Sequence, residues 1–300
     1  MEKQRNKKGS LPIGVRIIGI IIAVLAAAYG LYAGMGNSTG NFDGEMQIFA
    51  LDVGQGDSFF IISPNGKTML IDSGESSNSK QIEQFIREKG VRQLDVVIGS
   101  HTHSDHVGSM PYLLDAFDVG KYVMSEAGLE TRIQKRINAV LEEKDIPCSY
   151  VWAGDVIDWD SDCKVTVLSP VPEFDEYSKT DWNEWSLIIR AEYANHSMIF
   201  TGDATVRSEQ AAMLNNEKYL FDADVLKVPH HGSTTSSSLG FLEAVSPEYA
   251  IISVGKGNSY GHPDYDTIQK LKQVNAEIYR TDELGTINIV FSANDIKITY

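Results

Sequence analysis

The sequence predicts one α/β domain over residues 46–300, preceded by a single N-terminal transmembrane helix. Three observations carry this expectation. An uncharged aliphatic run at residues 17–34 follows a basic flank. Short strand-like and helix-like segments alternate without a break from residue 46 onward. Three of the seven histidines fall within residues 101–106, directly after an apolar strand.

The N-terminal element rests on length and charge. Residues 17–34 are long enough to span a hydrocarbon core as a helix. Lys3, Arg5, Lys7, Lys8 and Arg16 precede the run, and such a flank stays in the cytoplasm. The expected order is a cytoplasmic segment at 1–16, a transmembrane helix or signal anchor at 17–34, a linker at 35–45 and a domain at 46–300 on the outer side of the cell membrane. Secretion after signal cleavage is the alternative, because Ala26, Ala27, Ala28 and Ala33 place small residues near the end of the run.

Within the domain, residues 46–53 and 58–62 read as a hairpin around Gly54-Gln55-Gly56-Asp57. A strand at 68–71 ends at Asp72-Ser73-Gly74, and a helix at 79–89 leads to an apolar strand at 96–99. Helices at 110–116 and 129–144 and strands at 151–157 and 164–168 complete a first half. The second half opens with a hairpin of 186–192 and 197–200, turning at Asn195-His196, which marks His196 as a surface residue. Thr201-Gly202-Asp203, a helix at 206–214 and a strand at 224–228 follow, the last running into His230-His231-Gly232-Ser233. A helix at 239–244, a strand at 249–254, a loop at 255–263, a helix at 264–274 and closing strands finish the chain.

Composition supports a sizeable core, with 42% hydrophobic and 22% charged residues in 300. The net charge of −15 is uneven: residues 1–40 carry five Lys/Arg against one Glu, so the remainder stands at −19. That field opposes tight nonspecific binding to duplex nucleic acid through counterion release. Cys148 and Cys163 form no CxxC pair, and two buried thiols are expected rather than a disulfide.

The chemistry concentrates after strand ends. Imidazole and carboxylate together suit Zn, Mn or Fe, so His101 and His103 are candidates for one ion and Asp105 and His106 for a second. Asp203, at another strand end between the histidine clusters, is a candidate bridging carboxylate. One of His230 and His231 is expected to coordinate, with His230 favoured, since neighbours on extended backbone point to opposite sides. Asp72 is expected to orient the histidine loop by hydrogen bonds, and His262, in a Gly- and Pro-shaped loop, to contact substrate or act as a general acid.

These residues resemble the metallo-β-lactamase superfamily, and within it the extracytoplasmic hydrolase domain of ComEC competence proteins. The likeness covers nearly all of residues 46–291. It rests on Leu51-Asp52-Val53-Gly54-Gln55-Gly56-Asp57, Leu70-Ile71-Asp72-Ser73-Gly74, residues 100–108, residues 183–187, Thr201-Gly202-Asp203, residues 226–233 and Tyr260-Gly261-His262-Pro263.

The resemblance implies an αββα sandwich with two divalent ions, Zn or Mn. His101 and His103 would hold the first, Asp105 and His106 the second with His230 or His231, and Asp203 would bridge. It also draws Gln55, Asp57, Asn183, Ser186, Lys227 and Ser233 toward the ligands or the substrate. The superfamily's histidine between His106 and Asp203 has no counterpart except His196, so the first site is expected to be weaker, with water or a polar group near Asn183 or Ser186 filling in.

A coordinated water with its pKa lowered to about 7 would supply hydroxide, making hydrolysis the expected reaction, with Asp105 or Asp203 orienting the water. Nucleic acid is the first substrate class, with the acidic surface opposing tight duplex binding and leaving single strands feasible. A cell-envelope phosphoester, a lactone or β-lactam and a non-catalytic tethered module are the alternatives, and no nucleotide cofactor is expected.

Overall fold

Alternation of apolar side chains builds two sheets. In the computed structural model, which describes residues 44–172, 177 and 180–300, the first sheet begins with β1 (Met46–Ala50), β2 (Phe59–Ile62) and β3 (Thr68–Ile71), all antiparallel neighbours. The short β4 (Gln93–Leu94) pairs outside the main sheets with β6 (Asp118–Val119). β5 (Val96–Gly99), β7 (Tyr122–Met124) and β8 (Cys148–Tyr150) continue the first sheet in parallel.

The second sheet consists of β9 (Cys163–Ser169), β10 (Ile188–Tyr193), β11 (His196–Phe200), β12 (Val225–Lys227), β13 (Tyr249–Ile252) and β14 (Glu277–Arg280). Its first three strands are antiparallel and the rest parallel. The chain then returns to the first sheet, where β15 (Ile287–Phe291) pairs antiparallel with β1 and β16 (Ile296–Thr299) forms the edge.

Each strand divides its side chains between two cores. Met46, Ile48 and Ala50 of β1, Phe59 and Ile61 of β2, and Val96 and Ile98 of β5 join Val167, Met198, Phe200 and Val225 of the opposing sheet in one cluster. Phe59 meets Phe200 edge-on, ring centroids 5.2 Å apart, and burying such a ring contributes about 1.5–3 kcal/mol. The intervening Phe49, Phe60, Leu70 and Val97 face outward onto helices Ser79–Glu88, Met110–Ala116 and Arg132–Glu143. On the far side Ile199, Leu226 and Ile252 meet helices Val206–Asn215, Leu239–Val245 and Tyr265–Gln273. Helices therefore flank two stacked sheets in four layers.

Several expectations change. The strand expected at 151–157 is an irregular segment: Asp155 N–H donates to Trp152 O in a turn, and only Val156 bridges to Thr166. The strand there is instead β8, an exposed edge without apolar alternation. His196 is half-buried rather than on the surface, because the turn is made by Ala194 and Asn195 while His196 pairs with Tyr193 and packs 5.6 Å from the Phe291 ring. Both cysteines are free, but Cys148 is exposed and Cys163 only half-buried.

The expected transmembrane helix at 17–34 lies outside the described residues. Among the described residues, no helix is long and apolar enough to cross a membrane.

Candidate metal centre

The centre forms where strands of both sheets end. After β5, residues 100–103 turn into the four-residue helix Ser104–Val107, which carries Asp105 and His106. Asp203 follows β11, and His231 follows β12 in the tight turn Pro229–Gly232. The ligand atoms of Asp105, His106, Asp203 and His231 all lie within 4.8 Å of one another. Each sheet thus contributes two donors.

Hydrogen bonds fix both imidazoles. His106 Nδ1 donates to Asp72 Oδ2 at 2.8 Å, and His231 Nδ1 donates to the Ser253 carbonyl at 2.9 Å. Both Nε2 atoms are therefore turned to the centre. His106 Nε2 lies 3.0 Å from Asp203 Oδ1, and His231 Nε2 is 3.5 Å from both Asp105 Oδ2 and Asp203 Oδ1. Despite this closeness, His106 Nε2, His231 Nε2 and Asp203 Oδ1 are buried without an aligned hydrogen bond. Converging orphaned atoms of this type, two nitrogens and a carboxylate oxygen, fit a divalent cation.

The charges agree with that fit. Burial alone would lower the His231 imidazole, but Asp203, Asp105 and Asp57 outweigh it and raise it to about 9. His106 is raised likewise against its burial, by Asp203, Asp72 and Asp105. Asp203 is held well below the usual carboxylate range, because His106 and His231 override the opposing effect of burial. A divalent ion competes with protons for these same atoms.

The surrounding side chains brace the ligands. Asp72 accepts from Ser100 N–H at 2.8 Å and Ser100 Oγ at 2.7 Å as well as from His106. Asp57, Asp72 and His106 also lie close together, but Asp57 is paired with Lys227 and Asp72 is saturated by these donors, so this trio supports the centre and is not a second one. Ser186 Oγ accepts from Asp203 N–H at 3.1 Å, Gln55 Oε1 accepts from Gly255 N–H at 3.2 Å, and Ser233 Oγ pairs with Thr235 Oγ1 at 3.0 Å. Asn183 Oδ1 is buried without a partner.

His101 and His103 lie beside the four-donor group, not in it. His101 Nε2 is 3.1 Å from His103 Nδ1, and the His101 ring centroid is 4.2 Å from that of His106. Burial, then His106, pushes the His101 imidazole well below its usual value.

The expected preference for His230 is reversed. His230 and His231 both adopt left-handed backbone, φ 49° and 53°, so the alternation assumed for an extended chain does not apply. His231 points into the centre, whereas His230 sits at the rim with Nδ1 2.8 Å from Thr235 Oγ1 and Nε2 3.6 Å from Asp203 Oδ2. Asp72 is left-handed too, at φ 59°. Strained backbone of this kind costs on the order of 1–3 kcal/mol per residue and is concentrated at functional sites. His262 stands behind His230, ring centroids 5.7 Å apart, and burial, then His231, lowers its imidazole. Ser100, Thr235 and the Ser253 carbonyl were not singled out by sequence; only the position of Ser100 beside the cluster hinted at a role.

The model of the metallo-beta-lactamase superfamily matches residues 51–256. ComE operon protein 3 of Bacillus subtilis is 34% identical over 260 residues, covering 81% of this chain and 33% of that protein. Recombination protein 2 of Haemophilus influenzae is 28% identical, covering 84% and 30%, and competence protein ComA of Neisseria gonorrhoeae is 28% identical, covering 85% and 34%. The chain thus spans about a third of the length of these curated relatives, which are ComEC-family competence proteins. Among solved structures, the metallo hydrolase Igni18 of Ignicoccus hospitalis superposes with a TM-score of 0.54 at 14% identity, covering 82% of this chain and all of that one. CmlA, a diiron β-hydroxylase from Streptomyces venezuelae, gives 0.51 at 12% identity, covering 78% and 52%.

Proposed function

The chain belongs to the metallo-beta-lactamase superfamily, and from that premise we propose that it is a metal-dependent phosphodiesterase that cleaves nucleic acid on the outer side of the cell membrane. The observation that carries the metal-dependent reading is the convergence of His106, His231, Asp105 and Asp203 with orphaned buried atoms turned inward. The names of the curated relatives, which include a competence protein and a recombination protein, support nucleic acid as the substrate. The basic flank and apolar run at residues 1–34 support the anchor and its orientation.

Asp105, His106, Asp203 and His231 would hold one divalent ion, and His101 and His103, with Asp203 shared, a weaker second. When bound, such ions supply Lewis acidity and lower the pKa of a coordinated water. The protein's own contribution is orientation. Asp72 and the Ser253 carbonyl keep both Nε2 atoms facing the ion site. Asp203 and Asp105 accept hydrogen bonds from the attacking water. His230, held by Thr235 at the rim, is placed to bond a phosphoryl oxygen or the leaving group. His262, expected to contact substrate or act as a general acid, stands behind His230 with ring centroids 5.7 Å apart.

The test pairs elemental analysis of the purified full chain with assays on single-stranded DNA and bis(p-nitrophenyl) phosphate, with Zn or Mn added. Bound metal and cleavage of both substrates are expected, with both lost in His106→Ala. Hydrolysis of the small ester without any cleavage of DNA would transfer the assignment to a cell-envelope phosphoester, and metal-free, inactive protein would overturn it.

A further inference from the structure

We propose that Tyr260 is a stacking platform for one unpaired base of a single-stranded nucleic acid whose backbone enters the metal centre. This inference deepens the phosphodiesterase reading and rests on it.

Tyr260 is 69% exposed, yet its ring is not loose at the surface. One face stacks on His262, with ring centroids 5.7 Å apart and ring planes inclined by 21°. His262 in turn meets His230 edge-on at 5.7 Å, and His230 Nε2 lies 3.6 Å from Asp203 Oδ2. A continuous file of rings therefore runs from the exposed tyrosine to the rim of the centre.

The loop that carries Tyr260 is held from inside by one side chain. Asn258 Oδ1 accepts from the N–H groups of Tyr260 and His262, each at 3.1 Å. Its Nδ2 donates to the carbonyls of Gly255 at 3.0 Å and His262 at 2.6 Å. Two further ties join the loop to the site: Gln55 Oε1 accepts from Gly255 N–H, and Gly232, next to His231, leaves so little room that a Cβ there would stand 2.5 Å from Pro263 Cβ. An isolated exposed tyrosine needs no explanation. One clamped in a fixed loop, stacked on its inner face and aligned with a reactive centre, is pre-organised to receive a second planar group at little entropic cost.

The ligand class follows from planarity and charge. Base-aromatic stacking operates on any base with a free face, which a duplex interior does not offer. The net charge of −15 denies the protein the broad electrostatic affinity on which duplex binders rely. Stacking supplies affinity that charge cannot, and exposed Lys256, in the same loop, offers a local cation to the backbone.

The test measures equilibrium binding of the full chain, by fluorescence anisotropy without added metal, to labelled oligothymidylate and to an abasic strand of equal length. Wild-type protein is expected to prefer the base-bearing strand by roughly tenfold, within the range of 1–3 kcal/mol per stacked base. Tyr260→Ala should erase that preference, and Tyr260→Phe should retain it. A preference that survives in Tyr260→Ala, or that is missing from the wild type, overturns the proposal, as does equal affinity for the matching duplex. Cleavage is assayed separately: binding with the expected base dependence but no cleavage would defeat the phosphodiesterase reading while leaving the platform standing.

Discussion

Lys227 Nζ lies 2.6 Å from Asp57 Oδ2, and both side chains are almost wholly buried. The same ammonium donates to the Gly202 carbonyl at 2.9 Å. It therefore ties the loop after β1 to the residue preceding Asp203, while Asp57 Oδ1 stands 3.5 Å from His231 Nδ1. One ion pair thus braces both ligands that the second sheet supplies.

Replacing Lys227 by Met should destabilise the protein by about 3–5 kcal/mol, because it leaves a carboxylate buried without its countercharge. Urea titration of Lys227→Met and of the Lys227→Met/Asp57→Asn double variant checks this, and the double variant should recover part of the loss. Burial alone would raise the Asp57 carboxyl, but Lys227, then His231 and His106, hold it below its ordinary value. A depressed folded pKa means that its stabilisation is present above about pH 4 and fades as pH falls further. Wild-type stability should decline over that range more steeply than that of the double variant.

Gly56→Ala should weaken metal binding. A Cβ at this position would lie 2.2 Å from the Asp105 carbonyl oxygen, and the backbone has φ +136°. Either Asp105 moves or the hairpin turn does, at a cost on the order of 1–3 kcal/mol. Isothermal titration with Zn should show lower affinity, and thermal unfolding a lower midpoint.

His103→Ala and His106→Ala should differ in metal content. His103 touches His101, outside the four-donor group, whereas His106 is central to that group. Elemental analysis should find the tighter ion retained in His103→Ala and lost in His106→Ala. Chelation should lower the melting temperature of wild-type protein and leave that of Asp203→Ala unchanged, since an ion at one hundred times its Kd contributes about 2.7 kcal/mol.

The two thiols should alkylate at different rates. Burial, then Asp160 and Asp162, pushes Cys163 up to about 12, whereas Cys148 is exposed. At pH 8 only about one Cys163 in ten thousand is thiolate. Mass spectrometry after iodoacetamide treatment should find Cys148 modified first, and the Cys163 rate should rise about tenfold per pH unit through pH 10.

The apolar runs around β1, β2, β3, β5 and β12 announced the sandwich, because strands covered on both faces need nearly continuous hydrophobic sequence. β4, β6 and β8 were illegible for the opposite reason: with two or three residues and exposed positions, they carry no periodicity. The histidine cluster was visible as chemistry, but the choice between His230 and His231 depended on backbone shaped by Gly232 against Pro263, a contact between distant segments. Lys227 did leave a trace, as a charge within Val225-Leu226-Lys227-Val228, where only a buried partner makes a charge tolerable.

The pairing of β1 with β15 has a consequence for synthesis. Ala50 finds its partner at Ile287, so during translation the first apolar strand waits with one edge open until nearly the whole domain has emerged. An open edge of that kind recruits other chains. A product truncated before Ile287 should therefore accumulate as aggregate rather than as a smaller folded unit, which makes the last two strands the seal on a sheet begun by the first.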